Sequence, residues 1–183
     1  MIIVSDTSPL CNLQLVNSLW LLRELYGIVI IPHAVAEELA AASNGDIQNI
    51  CNLEWIQMRT LSLTSVAERL QKERGLDPGE AEAIALAIEL KADDLLIDER
   101  LGRREALQLG LSVIGVLGIL VAAKQKGLIP MVQPVMDALI EEAGFRVSDR
   151  LYQRIILYPV SKVLKSERSD RSDSSNRQHE DVP

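Results

Sequence analysis

A chain of 183 residues that is 48% apolar, with a mean hydropathy of +0.11, has the length and apolar content for one domain with a substantial core plus an appendage. Aromatic residues make up only 3%, so the core must be built from Leu, Ile, Val and Ala, which suits helices packed closely on a sheet and argues against an aromatic-rich sandwich. A net charge of −7 argues against broad, non-specific binding to nucleic acid, which needs Lys and Arg to meet phosphate, and two cysteines supply neither a disulfide framework nor metal-ligand spacing.

The first 31 residues read as strand, helical segment, strand: Ile2 to Asp6, Pro9 to about Tyr26, then Ile28 to Ile31. Asp6 interrupts the first apolar run, so no secretory signal is expected, and the longest later run, Val113 to Ala123, is too short to cross a bilayer. A cytoplasmic protein without membrane association is the expectation. Pro32 starts the next helix, whose stripe is Val35, Glu38, Leu39 and Ala42, and the Ser43 to Asp46 turn ends it. A weakly alternating strand at Trp55 to Leu61 and a helix from about Thr64 to Arg74 follow.

Asp77-Pro78-Gly79-Glu80 is the clearest boundary, with an N-cap, a proline at the first helical position and an acid at the third, and the helix it opens runs to about Lys91. Leu95 to Asp98 is a short buried strand, Glu99 to Leu109 a helix and Leu111 to Val116 a strand. This alternation implies a mainly parallel sheet of four or five strands. Helices follow at Leu117 to Lys126, Pro130 to about Ala143 and Ser148 to about Leu157, and they either complete the core or form a homodimer face. One α/β domain is therefore expected over residues 1–160, with added helices at about 117–157 and a disordered polar tail at 165–183.

Four acids stand out from this frame. Asp6 and Asp98 each close an apolar strand, at the strand ends where open parallel sheets bind ligands. Glu38 and Glu80 lie on otherwise apolar helical stripes, with Glu82 as reserve for Glu80 and Glu99 as reserve for Asp98. Each also has a plainer reading: Asp6 caps the helix near Pro9, although Ser8 can do that job as well or better and leave Asp6 free to face the crevice, Glu38 tilts out at a stripe edge, Glu80 completes a capping box, and Asp98 caps the helix after it. Together they bring three or four carboxylates to one crevice with no Lys or Arg placed to neutralise them, and two carboxylates about 4 Å apart repel by roughly 4 kcal/mol at an effective dielectric near 20. A cation is then required, and hard oxygen ligands select Mg²⁺ or Mn²⁺. His33 and His179 are too scattered for a zinc or Ser-His-Asp site, and Gly115-Val116-Leu117-Gly118 is not a phosphate loop.

Val4-Ser5-Asp6-Thr7-Ser8-Pro9-Leu10, Ile31 to Leu39, Gly79 to Ala87 and Leu95 to Arg100, taken in order, resemble the PIN-domain family of metal-dependent ribonucleases, which includes the VapC toxins, and most of all a PIN-like branch of prokaryotic proteins. The resemblance implies a three-layer α/β/α fold and places the family's metal ligands and catalytic acids at Asp6, Glu38, Glu80 and Asp98, with Thr7 or Ser8 supporting the site's water. It further implies an RNA substrate cut by metal-activated water, and a toxin partnered by an antitoxin protein. Departures are Glu82 as a rival third acid, Asp98-Glu99 in place of Thr-spacer-Asp, and the extra C-terminal helices. Arg100, Arg103 and Arg104 are the nearest basic cluster for phosphate contact, or else the solvated face of a surface helix. The competing reading is a catalytically degenerate PIN-like nucleic-acid-binding or scaffold module.

Overall fold

The computed structural model describes residues 1–62 and 64–157, so the expected tail at 165–183 lies outside the described residues. Five strands, β1 (Ile3–Ser5), β2 (Val29–Ile31), β3 (Ile56–Met58), β4 (Asp94–Leu96) and β5 (Val113–Ile114), form one all-parallel sheet in the order β3-β2-β1-β4-β5. The helices are α1 (Thr7–Leu15), α2 (Trp20–Tyr26), α3 (His33–Ala41), α4 (Gly45–Gln48), α5 (Ser65–Arg69), α6 (Pro78–Leu90), α7 (Arg100–Gln108), α8 (Val116–Gln125), α9 (Gln133–Glu141) and α10 (Asp149–Leu157). A 3₁₀ turn at Asn49–Asn52 follows α4, and α5 runs on into a π turn at Leu70–Arg74. The result is the three-layer α/β/α architecture expected.

Crossovers from β1 lead towards β3, whereas β4 leads to β5 on the other side, so the direction of strand addition reverses between β1 and β4. Ligand crevices of parallel sheets open at such a reversal. Asp6 and Asp98 follow these two strands, and their register is tight: Ser5 pairs with Leu96, and the Asp6 N–H donates to the Leu96 carbonyl at 2.9 Å.

One helical layer gathers α1, α2, α8 and α9, and the other gathers α5, α6 and α7, with α3 packed on both α1 and α6. The expected single helix from Pro9 to Tyr26 is instead two. Asn17 takes a left-handed φ of 52°, which Asn tolerates better than branched residues, and the Ser18 hydroxyl donates to the Val16 carbonyl at 3.1 Å. Met1–Arg146 forms one compact unit, while α10 belongs to a second that begins at Val147. Among the described residues no helix is long and apolar enough to cross a membrane.

Helix α6 is the spine of the core. Ala81, Ala83, Ile84, Ala85, Leu86 and Ala87 are all buried, so apolar contact surrounds the helix, and the alanines let its backbone approach β1 and β4 closely. Leu86→Ala removes a fully buried side chain from the middle of this helix. The expected loss is about 2–5 kcal/mol of unfolding free energy in urea titration with little change in slope.

Candidate functional site

Because every strand is parallel, each crossover delivers a helix N-terminus to the carboxyl edge of the sheet, where backbone N–H groups lack intrahelical partners. The acids picked out by the sequence meet these termini. Asp6 is itself the N-cap of α1: its Oδ2 accepts from the Ser8 N–H at 3.4 Å and the Ser8 hydroxyl at 3.0 Å. Ser8 therefore supports the Asp6 cap and does not replace it, because the chain is already extended at Asp6 while Ser8 lies inside the first turn.

Glu38, on α3, is engaged at both oxygens. Oε1 accepts from the Gly79 N–H at the start of α6 at 2.9 Å, and Oε2 accepts from the Thr7 hydroxyl. A Cβ at position 79 would fall 2.5 Å from Oε2, so a side chain there would push this carboxylate out of its place. Glu80 completes the capping box of α6, its N–H donating to Asp77 Oδ1 at 2.7 Å and its Oε2 accepting from the Asp77 N–H at 3.3 Å. Oε1 of Glu80 is buried with no hydrogen-bond partner, in space that a Cβ at Gly102 would fill at 2.5 Å. Glu82 points elsewhere, accepting from the Ala34 N–H at the start of α3 at 2.9 Å. Of the two, Glu80 is the acid on which the charge of Asp6 is seen to act.

Asp98 accepts the Val116 N–H at the start of α8 through Oδ1 at 2.9 Å, while its Oδ2 is buried without a partner. Arg103 stands beside it, donating from Nη1 to the Ile97 carbonyl at 2.9 Å, and a Cβ at Gly115 would fall 2.7 Å from Asp98 Oδ1 and 2.8 Å from Arg103 Nη1. The expectation of acids with no neighbouring Lys or Arg is corrected at this position, since α7 turns Arg103 inward. Glu99 is the exposed N-cap of α7 and makes no side-chain capping bond. Arg100 is exposed, and Arg104 folds onto Glu105 rather than joining Arg103.

Burial dominates the electrostatics. It raises Asp6 from its ordinary value to about 6 against the N–H groups of Thr7 and Ser8, and it raises Glu80 to about 7, helped by the charges of Asp77 and Asp6. Burial likewise raises Asp98 to about 6 although Val116, Arg103 and the Asn12 side chain favour its ionised form. Burial, and then the charges of Asp6 and Glu38, push the Cys11 thiol up to about 11. Asp77, Asn12 and the three glycines are participants that composition and periodicity do not reveal, although Asp77 was legible as a cap.

The donors are hard carboxylate oxygens, and two orphaned ones suit a divalent cation. Among the described residues, however, no group of three or more His, Cys, Asp or Glu is placed to hold a metal ion. These facts are compatible with Mg²⁺, which retains several waters and is commonly held by one or two carboxylates plus substrate phosphate.

The fold is a three-layer α/β/α domain in which Asp6 and Asp98 follow the two strands at the topological reversal of a parallel sheet. The family model DUF3368, a PIN domain, matches residues 2–158. The chain belongs to this PIN-domain family, whose fold is of the nuclease type and whose members typically use divalent metals. No curated protein matches the chain.

A raised carboxyl pKa gives the folded state more bound protons than the unfolded chain, so its contribution to stability declines as pH rises from the ordinary value to the folded one. For Glu80 that window runs from 4.5 to about 7. Glu80→Gln keeps the capping box, which accepts Gln equally, and removes the titration. Measured by denaturant titration without divalent ions, the variant should gain on the wild type across that window by up to about 1.4 kcal/mol per pH unit, and then level off.

Proposed function

We propose that the protein is a Mg²⁺- or Mn²⁺-dependent endoribonuclease that hydrolyses RNA phosphodiesters. The observation that carries this reading is the pair of buried carboxylate oxygens without partners, Glu80 Oε1 and Asp98 Oδ2, in a PIN domain. A buried polar atom left unsatisfied calls for an ion or equivalent partner.

In this reading one or two of Asp6, Glu80 and Asp98 would contribute oxygens to an ion that keeps several of its waters, and Glu38 shapes the site by tying α1 and α6 to α3 through Thr7 and Gly79. Thr7 orients Glu38, and Ser8 orients Asp6. When bound, the ion supplies an acidified water and charge compensation at the phosphodiester. The N-termini of α1, α6 and α8 add a positive field where phosphate must approach. Arg103, held by the Ile97 carbonyl, limits the negative charge of the Asp98 side of the crevice. An antitoxin partner, a homodimer and a cytoplasmic location belong to the same proposal.

The second reading, a non-cutting PIN-like nucleic-acid-binding or scaffold module, is favoured by the N–H groups that already meet each acid and by the lack of a three-acid cage among the described residues. Asp6→Asn decides between them, because Asn caps a helix as well as Asp and leaves the fold intact. With Mg²⁺ and a structured RNA, the wild type should cleave, EDTA should stop it, and the variant should lose roughly a hundredfold or more in rate. Equal rates for the two proteins, or no cleavage by either, would leave the binding module as the better account.

A further inference from the structure

Away from the acids lies a cleft of about 390 Å³ between the π turn and α7, lined by Arg69, Leu70, Arg74, Gln108 and Leu109 with Glu73 and Glu105. Glu105 is only 3% exposed, and none of the chemistry assigned above uses it. A buried carboxylate needs partners. Arg104 donates from Nε at 3.2 Å and from Nη2 at 3.0 Å to Oε1, and Arg74 places Nε 3.5 Å from Oε2. Adjacent helical residues do not face one another, so Arg104 must fold back to make this contact.

We propose that this cleft is a nucleotide subsite for single-stranded RNA, in which Glu105 is a positioning residue that fixes Arg74 and Arg104 as paired guanidinium groups for backbone phosphate. The proposal rests on the ribonuclease reading and assigns part of its substrate path. A guanidinium has five N–H donors, and Glu105 engages few of them. The side chains of Arg74 and Arg104 remain 54% and 61% exposed, so their free donors face solvent. In the lining Arg69 and Arg74 balance Glu73 and Glu105, and Arg104, bonded to Glu105 beside the cleft, tips the local charge positive on a chain of net −7.

The volume falls in the range of small-ligand sites, the planar fork of Arg matches phosphate, and Leu70 and Leu109 offer apolar surface to a base whose edge the Gln108 amide can meet. Location supports the same path. The π turn runs through Gly75 and Leu76 into Asp77, the residue that caps α6 beside Glu80. On α7, Gly102 abuts Glu80 and lies one turn, about 4.5 Å of rise, before Glu105. π turns also recur at functional sites.

The test is anisotropy of a labelled single-stranded RNA decamer on the full chain in EDTA, titrated with salt. Arg74→Ala/Arg104→Ala should weaken binding at least tenfold and lower the slope of log K against log salt by about 1.4, as expected for two lost phosphate contacts on a single strand. Because that variant strips Glu105 of its partners, Arg69→Ala provides a second measurement that leaves them in place, with an expected fall in slope of about 0.7. Glu105→Gln makes the cleft more positive but takes away the carboxylate that fixes the two arginines, so it should weaken binding without lowering the slope, since no cationic charge is lost. Unchanged affinity and slope in a folded Arg69→Ala variant, or equal displacement of RNA by a glutamate decapeptide, overturns the nucleotide assignment. Cleavage with Mg²⁺ run in parallel separates the two proposals. Cutting with unaltered KM in the arginine variants rejects the cleft alone, whereas RNA bound through these arginines but left uncut supports the cleft and rejects the nuclease.

Discussion

Helix N-termini meeting buried and half-buried carboxylates hold the carboxyl edge of the sheet together. Asp6 caps α1, Glu82 meets α3, Glu38 and Glu80 meet α6, and Asp98 meets α8. Parallel topology makes this arrangement close to obligatory, because each strand-to-helix passage leaves unpaired N–H groups at the same edge of the sheet. An acid there gains a charge-assisted hydrogen bond and the favourable end of the helix dipole. Acid crowding at this edge is therefore less costly than Coulomb repulsion between bare carboxylates suggests, and the need for a cation is correspondingly weaker. Burial still prevails, since Asp6, Glu80 and Asp98 all stay above their ordinary values.

The parts of this arrangement that depend on local chemistry were legible in the sequence. Asp77-Pro78-Gly79-Glu80 announces the capping box, and the strand pattern around Asp6 and Asp98 announces a parallel sheet with acids at its carboxyl edge. What depends on three-dimensional direction was not. Arg103, Arg104 and Glu105 are consecutive, yet steps of about 100° send Arg103 to Ile97 and Asp98 and bury Glu105, to which Arg104 folds back. The close approach of Gly79, Gly102 and Gly115 to three separate carboxylates joins residues far apart in the chain, and no local periodicity encodes it. Nor does periodicity reveal the break at Asn17, where a left-handed residue interrupts an otherwise continuous apolar pattern.

The acids also differ in how completely they are held, and the difference sorts their roles. Glu38 has both oxygens engaged, by Gly79 and Thr7, and so acts as a brace between α3, α6 and the start of α1. Glu80 and Asp98 each anchor one oxygen on a backbone N–H and leave the other buried and unpartnered. A carboxylate needed only for capping gains nothing from burying its second oxygen, whereas a ligand-binding carboxylate benefits from being oriented by one oxygen and open at the other. Half-engagement is unfavourable in a finished structural network, because an unsatisfied polar atom in low dielectric carries its full desolvation penalty. Among the described residues it occurs at Glu80 and again at Asp98, and in the proposed nuclease these two oxygens are the ones left open to an ion.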